Sequence, residues 1–160
     1  MSILDCIDPK ETGLENSEGF WIRYVSKGDE KHLTSAEVIL FNRKNEKIDY
    51  HAYSGPDILD LPKSKIIDAQ LISEMLLKFI RGESEDTELV TWAHKCIFSG
   101  QIRKRETRNL LITLARLGAS CFKGFELNWR DYENIFKQLG YDLILNAVLL
   151  ENVTEANTVN

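Results

Sequence analysis

The first half of the chain alternates apolar and polar side chains in three short runs. Residues 20–26 place Phe20, Ile22 and Tyr24 on one side and Trp21, Arg23 and Val25 on the other. Residues 36–42 are apolar enough for a central strand, and residues 48–53 alternate again. A period of two puts successive side chains on opposite faces of a strand. The short polar segments between the runs predict three consecutive antiparallel strands, a β-meander.

The second half of the chain changes to the three- and four-residue spacing of amphipathic helices. The predicted helices cover residues 68–81, 84–98, 102–117 and 128–139. Gly82, Gly118 and Gly140 follow three of them, where a glycine closes a helix in the left-handed conformation without a Cβ penalty. Trp92 and Trp129 fall on the apolar stripes, so we expect both in the core.

The third predicted helix has the clearest apolar stripe and an unusual first turn. Its stripe consists of Leu110, Leu111, Leu114 and Leu117, with Ala115 beside them, and its first turn carries Arg103, Lys104, Arg105 and Arg108. An exposed cation at the positive end of the helix dipole costs about 0.3–1 kcal/mol. This helix therefore needs one buried side, and its basic start is suited to an anionic partner. In the fourth helix, Asn128 with Asp131 three residues later predicts a variant of the capping box.

Residues 141–150 are apolar on both alternating faces and suit either a closing strand or a fifth helix. We favour a strand added to the meander. The predicted fold is α+β, with an N-terminal antiparallel meander of three or four strands covered by about four α-helices. Residues 1–18 are expected to be a flexible acidic lead-in, residues 19–150 a single α+β domain, and residues 151–160 a polar tail.

Composition adds limits to this picture. The chain has 160 residues, of which 43% are hydrophobic and 28% charged, so it can bury a core without a metal or disulfide. Its net charge of −5 argues against a general nucleic-acid binder. The three cysteines form no C-x-x-C pair, and no secretory leader or membrane-spanning run is present. We therefore expect a cytoplasmic protein with free thiols and no membrane partner.

The sequence contains few residues in catalytic or cofactor-binding patterns. It has no G-x-G-x-x-G, P-loop, H-E-x-x-H or G-x-S-x-G motif, so we expect no cofactor, no metal and no enzymatic activity. Asp49 and His51 share a strand face and would be the pair for a small enzyme. Cys121 is the thiol expected to be most accessible. His94 and Cys96 are two apart on a helix, and therefore face different ways.

Charge patterning supplies the functional hypothesis. Glu83, Glu85, Asp86 and Glu88 form an acidic run that suits a basic protein surface, and Tyr53 is a candidate aromatic anchor. The prediction is a protein-binding inhibitor of the immunity or antitoxin type, which neutralises a toxin or nuclease by direct binding. The alternative is a transcriptional regulator that contacts DNA through Arg103, Lys104, Arg105 and Arg108. The long segment between the third and fourth helices weakens that alternative, because a helix-turn-helix needs a turn of only three or four residues.

Overall fold

A computed structural model describes residues 14–28, 33–54, 66–99, 101–102 and 107–144. The predicted α+β fold is confirmed. Strands β1 (Trp21–Gly28), β2 (Leu33–Phe41) and β3 (Lys47–Ser54) form an antiparallel sheet in the order β1-β2-β3. The described helices are α1 (Ala69–Ile80), α2 (Asp86–Ser99), α3 (Thr107–Ala119) and α4 (Trp129–Gln138). Two short strands, β4 (Ile66–Ile67) and β5 (Gln101–Ile102), pair in parallel.

Alternation along the strands gives the sheet one buried face. Ile22 lies opposite Leu40 and Tyr24 lies opposite Val38, and all four side chains are buried. On the other face, Arg23 is exposed. The period of two in the first run therefore predicted correctly which side of β1 meets the core.

Local signals at the helix ends are also confirmed. The Asn128 side chain accepts from the Asp131 N–H, and the Asp131 side chain accepts from the Asn128 N–H, each at 2.9 Å, so the capping box is complete. Gly82 and Gly140 have φ of +75° and +89°, the left-handed conformation expected after α1 and α4. These features depend only on residues within one turn, which is why the sequence reveals them.

The start of the third helix was predicted five residues too early. Gln101 and Ile102 form β5, which pairs with β4. The paired strands precede and follow the α1–α2 hairpin in the chain. Helix α3 begins at Thr107, so of the basic cluster only Arg108 lies in its described first turn. Arg103, Lys104 and Arg105 lie outside the described residues. A two-residue strand is too short to produce a detectable period, so nothing in the sequence distinguished it from a helix start.

The position of Gly118 was also predicted wrongly. This glycine is not the left-handed residue after α3 but a buried residue inside the helix. A Cβ built on Gly118 would lie 2.5 Å from the Tyr24 hydroxyl and 2.7 Å from Cδ2 of His94. The glycine is therefore required for close approach of other elements rather than for its backbone conformation.

Helix α3 lies between the two parts of the core. Leu110, Leu114 and Leu117 pack with buried residues of α1, α2 and α4. Ala115 and Ala119 belong to a second cluster with Ile22, Tyr24, Val38 and Leu40 of the sheet, together with Leu14, Phe122 and Phe125. Large side chains thus face the helices and small ones face the sheet, so the sheet can approach the helix backbone closely.

The ends of the chain add little to the described fold. Tyr141–Ile144 have no regular secondary structure, and residues 145–150, the rest of the predicted closing strand, lie outside the described residues. The same holds for residues 1–13 of the predicted lead-in and for the predicted polar tail. None of the described helices combines the length and the apolar character needed to cross a bilayer.

Replacing Leu114 by Asp tests the central position of α3. The Leu114 side chain has no exposed surface. The variant loses roughly 1.5–3 kcal/mol of apolar burial and adds the cost of an unpaired buried carboxylate. We expect an unfolding free energy at least about 3 kcal/mol below the parent, measured by urea denaturation. Asn109→Asp, at an exposed position of the same helix, should change it little. Equal stability of Leu114→Asp and the parent would contradict the packing described above.

Candidate functional site

The four residues of the acidic run lie together at the junction of α1 and α2. Glu83 and Glu85 are in the connection, while Asp86 and Glu88 are in the first turn of α2, where the helix dipole favours carboxylates. All four are exposed. Within the described residues, none of the four forms an ion pair. No described cation therefore neutralises their charge.

An aromatic group lies beside this acidic run. The rings of Phe79 and Tyr132 are 6.0 Å apart, and those of Tyr132 and Trp129 are also 6.0 Å apart, so three rings follow one another from α1 to the start of α4. Burial raises the pKa of Tyr132, and the nearby carboxylates of Asp86 and Asp131 raise it further. Asp86 of the acidic run is therefore an electrostatic neighbour of the ring that contacts Trp129. We call this region, the acidic run with Tyr132 and Trp129, the acidic–aromatic surface.

The exposure of Trp129 differs from the sequence prediction. Its side chain is 53% exposed, whereas Trp92 is partly buried against the core as expected. Trp129 is the first residue of α4. It lies at the margin of the apolar stripe, whose buried centre is formed by Ile135 and Phe136. Helical side chains point toward the N-terminus, so a first-turn residue extends past the layer that covers the rest of the helix. Helical periodicity predicts on which side of α4 Trp129 lies, but it does not predict how deeply the side chain is buried.

Tyr53 does not join the acidic–aromatic surface. Its hydroxyl lies 2.6 Å from Nδ1 of His94, and its side chain is half-buried. His94 is eight residues beyond Asp86 on α2, a rise of about 12 Å along the helix. The structure therefore separates the candidate anchor Tyr53 from the acidic residues with which the sequence analysis grouped it.

His94 is held in one tautomer by two hydrogen bonds. Its Nε2 lies 2.8 Å from the carbonyl oxygen of Gly118, which can only accept, so Nε2 carries the proton. Nδ1 must then accept from the Tyr53 hydroxyl. The imidazole is completely buried, and this burial lowers the pKa of His94 to about 4. Nearby, the Tyr24 hydroxyl donates to the carbonyl of Ala115 at 2.7 Å.

The other candidate catalytic residues lie next to this cluster. The His51 ring is 5.9 Å from that of His94 and 5.3 Å from that of Phe122. Cys121 is exposed, as expected, while Cys96 is buried. The Cys121 thiol donates to the Gly118 carbonyl at 3.4 Å, and burial of the sulfur raises its pKa to about 11. It is therefore a protonated thiol at neutral pH and a poor nucleophile.

We call His94, Tyr53, Tyr24 and Cys121 the His94 cluster. It brings together residues that are far apart in the sequence, and their hydrogen bonds connect the sheet to the helices. Both nitrogens of His94 are engaged, so the ring has no free nitrogen to act as a base. In the part of the chain that the structure describes, no three His, Cys, Asp or Glu side chains are grouped so that they could hold a metal ion. Asp49 and His51 remain as an exposed pair on β3.

The basic cluster of the alternative hypothesis is only partly described. Arg108 is exposed in the first turn of α3. Residues 120–128 separate α3 from α4, which is longer than the turn of a helix-turn-helix. These two helices therefore do not form that DNA-binding motif.

The pKa of His94 predicts a specific loss of stability in acid. The ordinary pKa of 6.5 in the unfolded chain exceeds the folded value of about 4, so between these pH values the unfolded chain binds the extra proton. Stability should therefore fall as pH is lowered from about 6.5 to 4, by up to roughly 3 kcal/mol from this group. Urea unfolding across this range should show a smaller fall for His94→Gln, which keeps a donor and an acceptor. His51→Gln removes a neighbouring imidazole that also lowers the pKa of His94, so it should reduce the fall only slightly. An unchanged pH profile in His94→Gln would contradict the assignment.

Replacing Gly118 by Ala tests the close approach at the same place. Gly to Ala inside a helix normally stabilises by about 0.5–1 kcal/mol. Here the added methyl would overlap the Tyr24 hydroxyl and the His94 ring, so we expect a loss of about 1–3 kcal/mol in thermal or urea unfolding. The same change in a Tyr24→Phe background should cost less, because the nearest atom is gone. Stabilisation of the single variant would show that the three elements are not in contact there.

No family model, curated protein or solved structure matches this chain. Its function is therefore inferred from the geometry of its own residues. His94 is engaged on both ring nitrogens in a buried cluster, Asp49 and His51 are exposed on β3, and the acidic–aromatic surface is open to solvent.

Proposed function

We propose that this chain is a protein-binding domain of the immunity or antitoxin type, which neutralises a toxin or nuclease by covering a basic surface on it. The observation that supports the proposal is the acidic–aromatic surface, in which exposed carboxylates that form no ion pair with a described residue adjoin the exposed ring of Trp129. Charge and an anchor residue are thus available in one place.

The two components of the surface would act differently in binding. Carboxylates accelerate encounter with a basic partner and exclude partners of like charge. A large exposed aromatic residue such as tryptophan contributes affinity once it is desolvated in a pocket of the partner. Tyr132, which itself packs against Phe79, contacts the Trp129 ring from the protein side, so less side-chain freedom is lost on binding.

The thiols fit a reducing compartment. Cys96 and Cys121 are both free, and neither has the lowered pKa of a redox-active cysteine. We place the complex in the cytoplasm, where free thiols of this kind persist.

Affinity capture from the extract of its own cells, with nuclease added, tests the proposal. The parent should retain a basic protein. Binding of that protein should weaken at least about tenfold in Trp129→Ala, because a central aromatic anchor is lost, and by a similar factor in Glu85→Lys/Glu88→Lys. Isothermal titration with the purified partner gives the affinities, and circular dichroism confirms that each variant is folded.

Matched controls make this result specific to the surface. Tyr141→Ala removes an aromatic side chain that is 43% exposed, and Glu18→Lys/Glu46→Lys reverses two exposed carboxylates elsewhere. Both should bind like the parent. Equal binding by all variants would contradict the proposal. Recovery of nucleic acid alone would favour the transcriptional regulator.

A further inference from the structure

The outer edge of β3 is open within the described residues. The described strands follow the order β1-β2-β3, so among them β3 is paired on one side and unpaired on the other. The opposite edge of the sheet is partly covered, because the Ile22 N–H donates to the Leu14 carbonyl at 2.8 Å and Glu15 bridges to Trp21. An open edge of this length is a template for pairing with another strand.

Strand β3 is also little covered on its two faces. All of its residues except the half-buried Tyr53 are exposed, and the large side chains Ile48 and Tyr50 are 51% and 53% exposed. Asp49 and His51 face the helices yet remain exposed, so the described helices cover this side of β3 only in part.

One hydrogen bond identifies the residues that face the open edge. The Tyr50 N–H donates to the carboxylate of Asp49 at 2.8 Å, which places this N–H on the outer side of the strand. Backbone groups alternate in direction along a regular strand, so those of Ala52 point the same way as those of Tyr50. The Asp49 carboxylate occupies the position that a carbonyl from an added strand would take.

We propose that β3 pairs antiparallel with β3 of a second copy of this chain, about a two-fold axis at Tyr50. In this register each Tyr50 lies opposite its counterpart and exchanges two backbone hydrogen bonds with it. Asp49 of each copy then lies opposite His51 of the other, on the same face of the joined sheet. Ala52 lies opposite the irregularity at Ile48. The two chains thus match tyrosine with tyrosine at the axis and carboxylate with imidazole beside it.

Neighbouring registers are less complementary. An axis at Ala52 would place His51 opposite Tyr53 and Tyr50 opposite Ser54, which leaves Asp49 without an imidazole opposite it. An axis at Ile48 falls on the irregularity where the register with β2 shifts. In the proposed register, the Asp49 carboxylate gives up its hydrogen bond with the Tyr50 N–H and pairs with His51 of the second copy. The Tyr50 N–H then donates to the carbonyl of Tyr50 in the second copy.

Sedimentation velocity of the full chain, from about 1 µM to 1 mM, tests the proposal, because dimerisation follows mass action. We expect the dimer fraction to rise with concentration. Tyr50→Lys places two like charges opposite each other at the axis and should weaken dimerisation at least about tenfold. Ser26→Lys, at an exposed position of β1, should leave it unchanged. A parent that stays monomeric throughout would overturn the proposal and leave this edge to the closing strand that the sequence predicts within residues 141–150.

Mixing two charge variants tests the register itself. Asp49→Lys and His51→Asp each remove the complementary pairs, so each alone should dimerise at least about tenfold more weakly than the parent. When the two variants are mixed, each introduced charge faces the opposite charge introduced in the other chain, and the native Asp49 and His51 face each other, so heterodimers should form. Thermal unfolding confirms that both variants are folded. A mixture that dimerises no better than its components would show that β3 does not pair in this register.

Discussion

The buried hydrogen bond from His94 to the carbonyl of Gly118 holds the main parts of this molecule together. It fixes α2 against α3, and the other nitrogen of the same ring accepts from Tyr53 on β3. Tyr24 on β1 donates to the Ala115 carbonyl, one turn earlier in α3. Sheet and helices are thus joined by polar contacts in a buried place, where an unpaired group would cost about 1–3 kcal/mol.

This arrangement also determines what the cluster can do chemically. A histidine, two tyrosines and a cysteine within a few ångströms of one another resemble the composition of an active site. Burial instead keeps His94 neutral and the Cys121 thiol protonated at neutral pH, and the hydrogen bonds occupy the His94 ring. The cluster is therefore a structural centre that positions α2 against the sheet.

The surfaces proposed for binding both depend on that centre. The acidic residues extend from the first turn of α2, whose middle is held by His94, so the helix presents them in a defined orientation. Strand β3 is held by its pairing with β2, and Tyr53 links it to the same histidine. One surface offers charge with an aromatic anchor and the other offers backbone hydrogen bonds, so they suit different kinds of partner.

The sequence by itself determined the elements whose signals are local. Alternation revealed the three long strands, helical spacing revealed the four helices, and Asn128 with Asp131 revealed a cap, because each depends on backbone geometry within a turn or two. Only the tertiary structure decided the pairing of β4 with β5, the role of Gly118, the exposure of Trp129 and the contact of Tyr53 with His94. Tyr24 and Ala115 are 91 positions apart, and Tyr53 and His94 are 41 apart. Such contacts depend on which faces of different elements meet after folding. The periodicity of a single element cannot predict them.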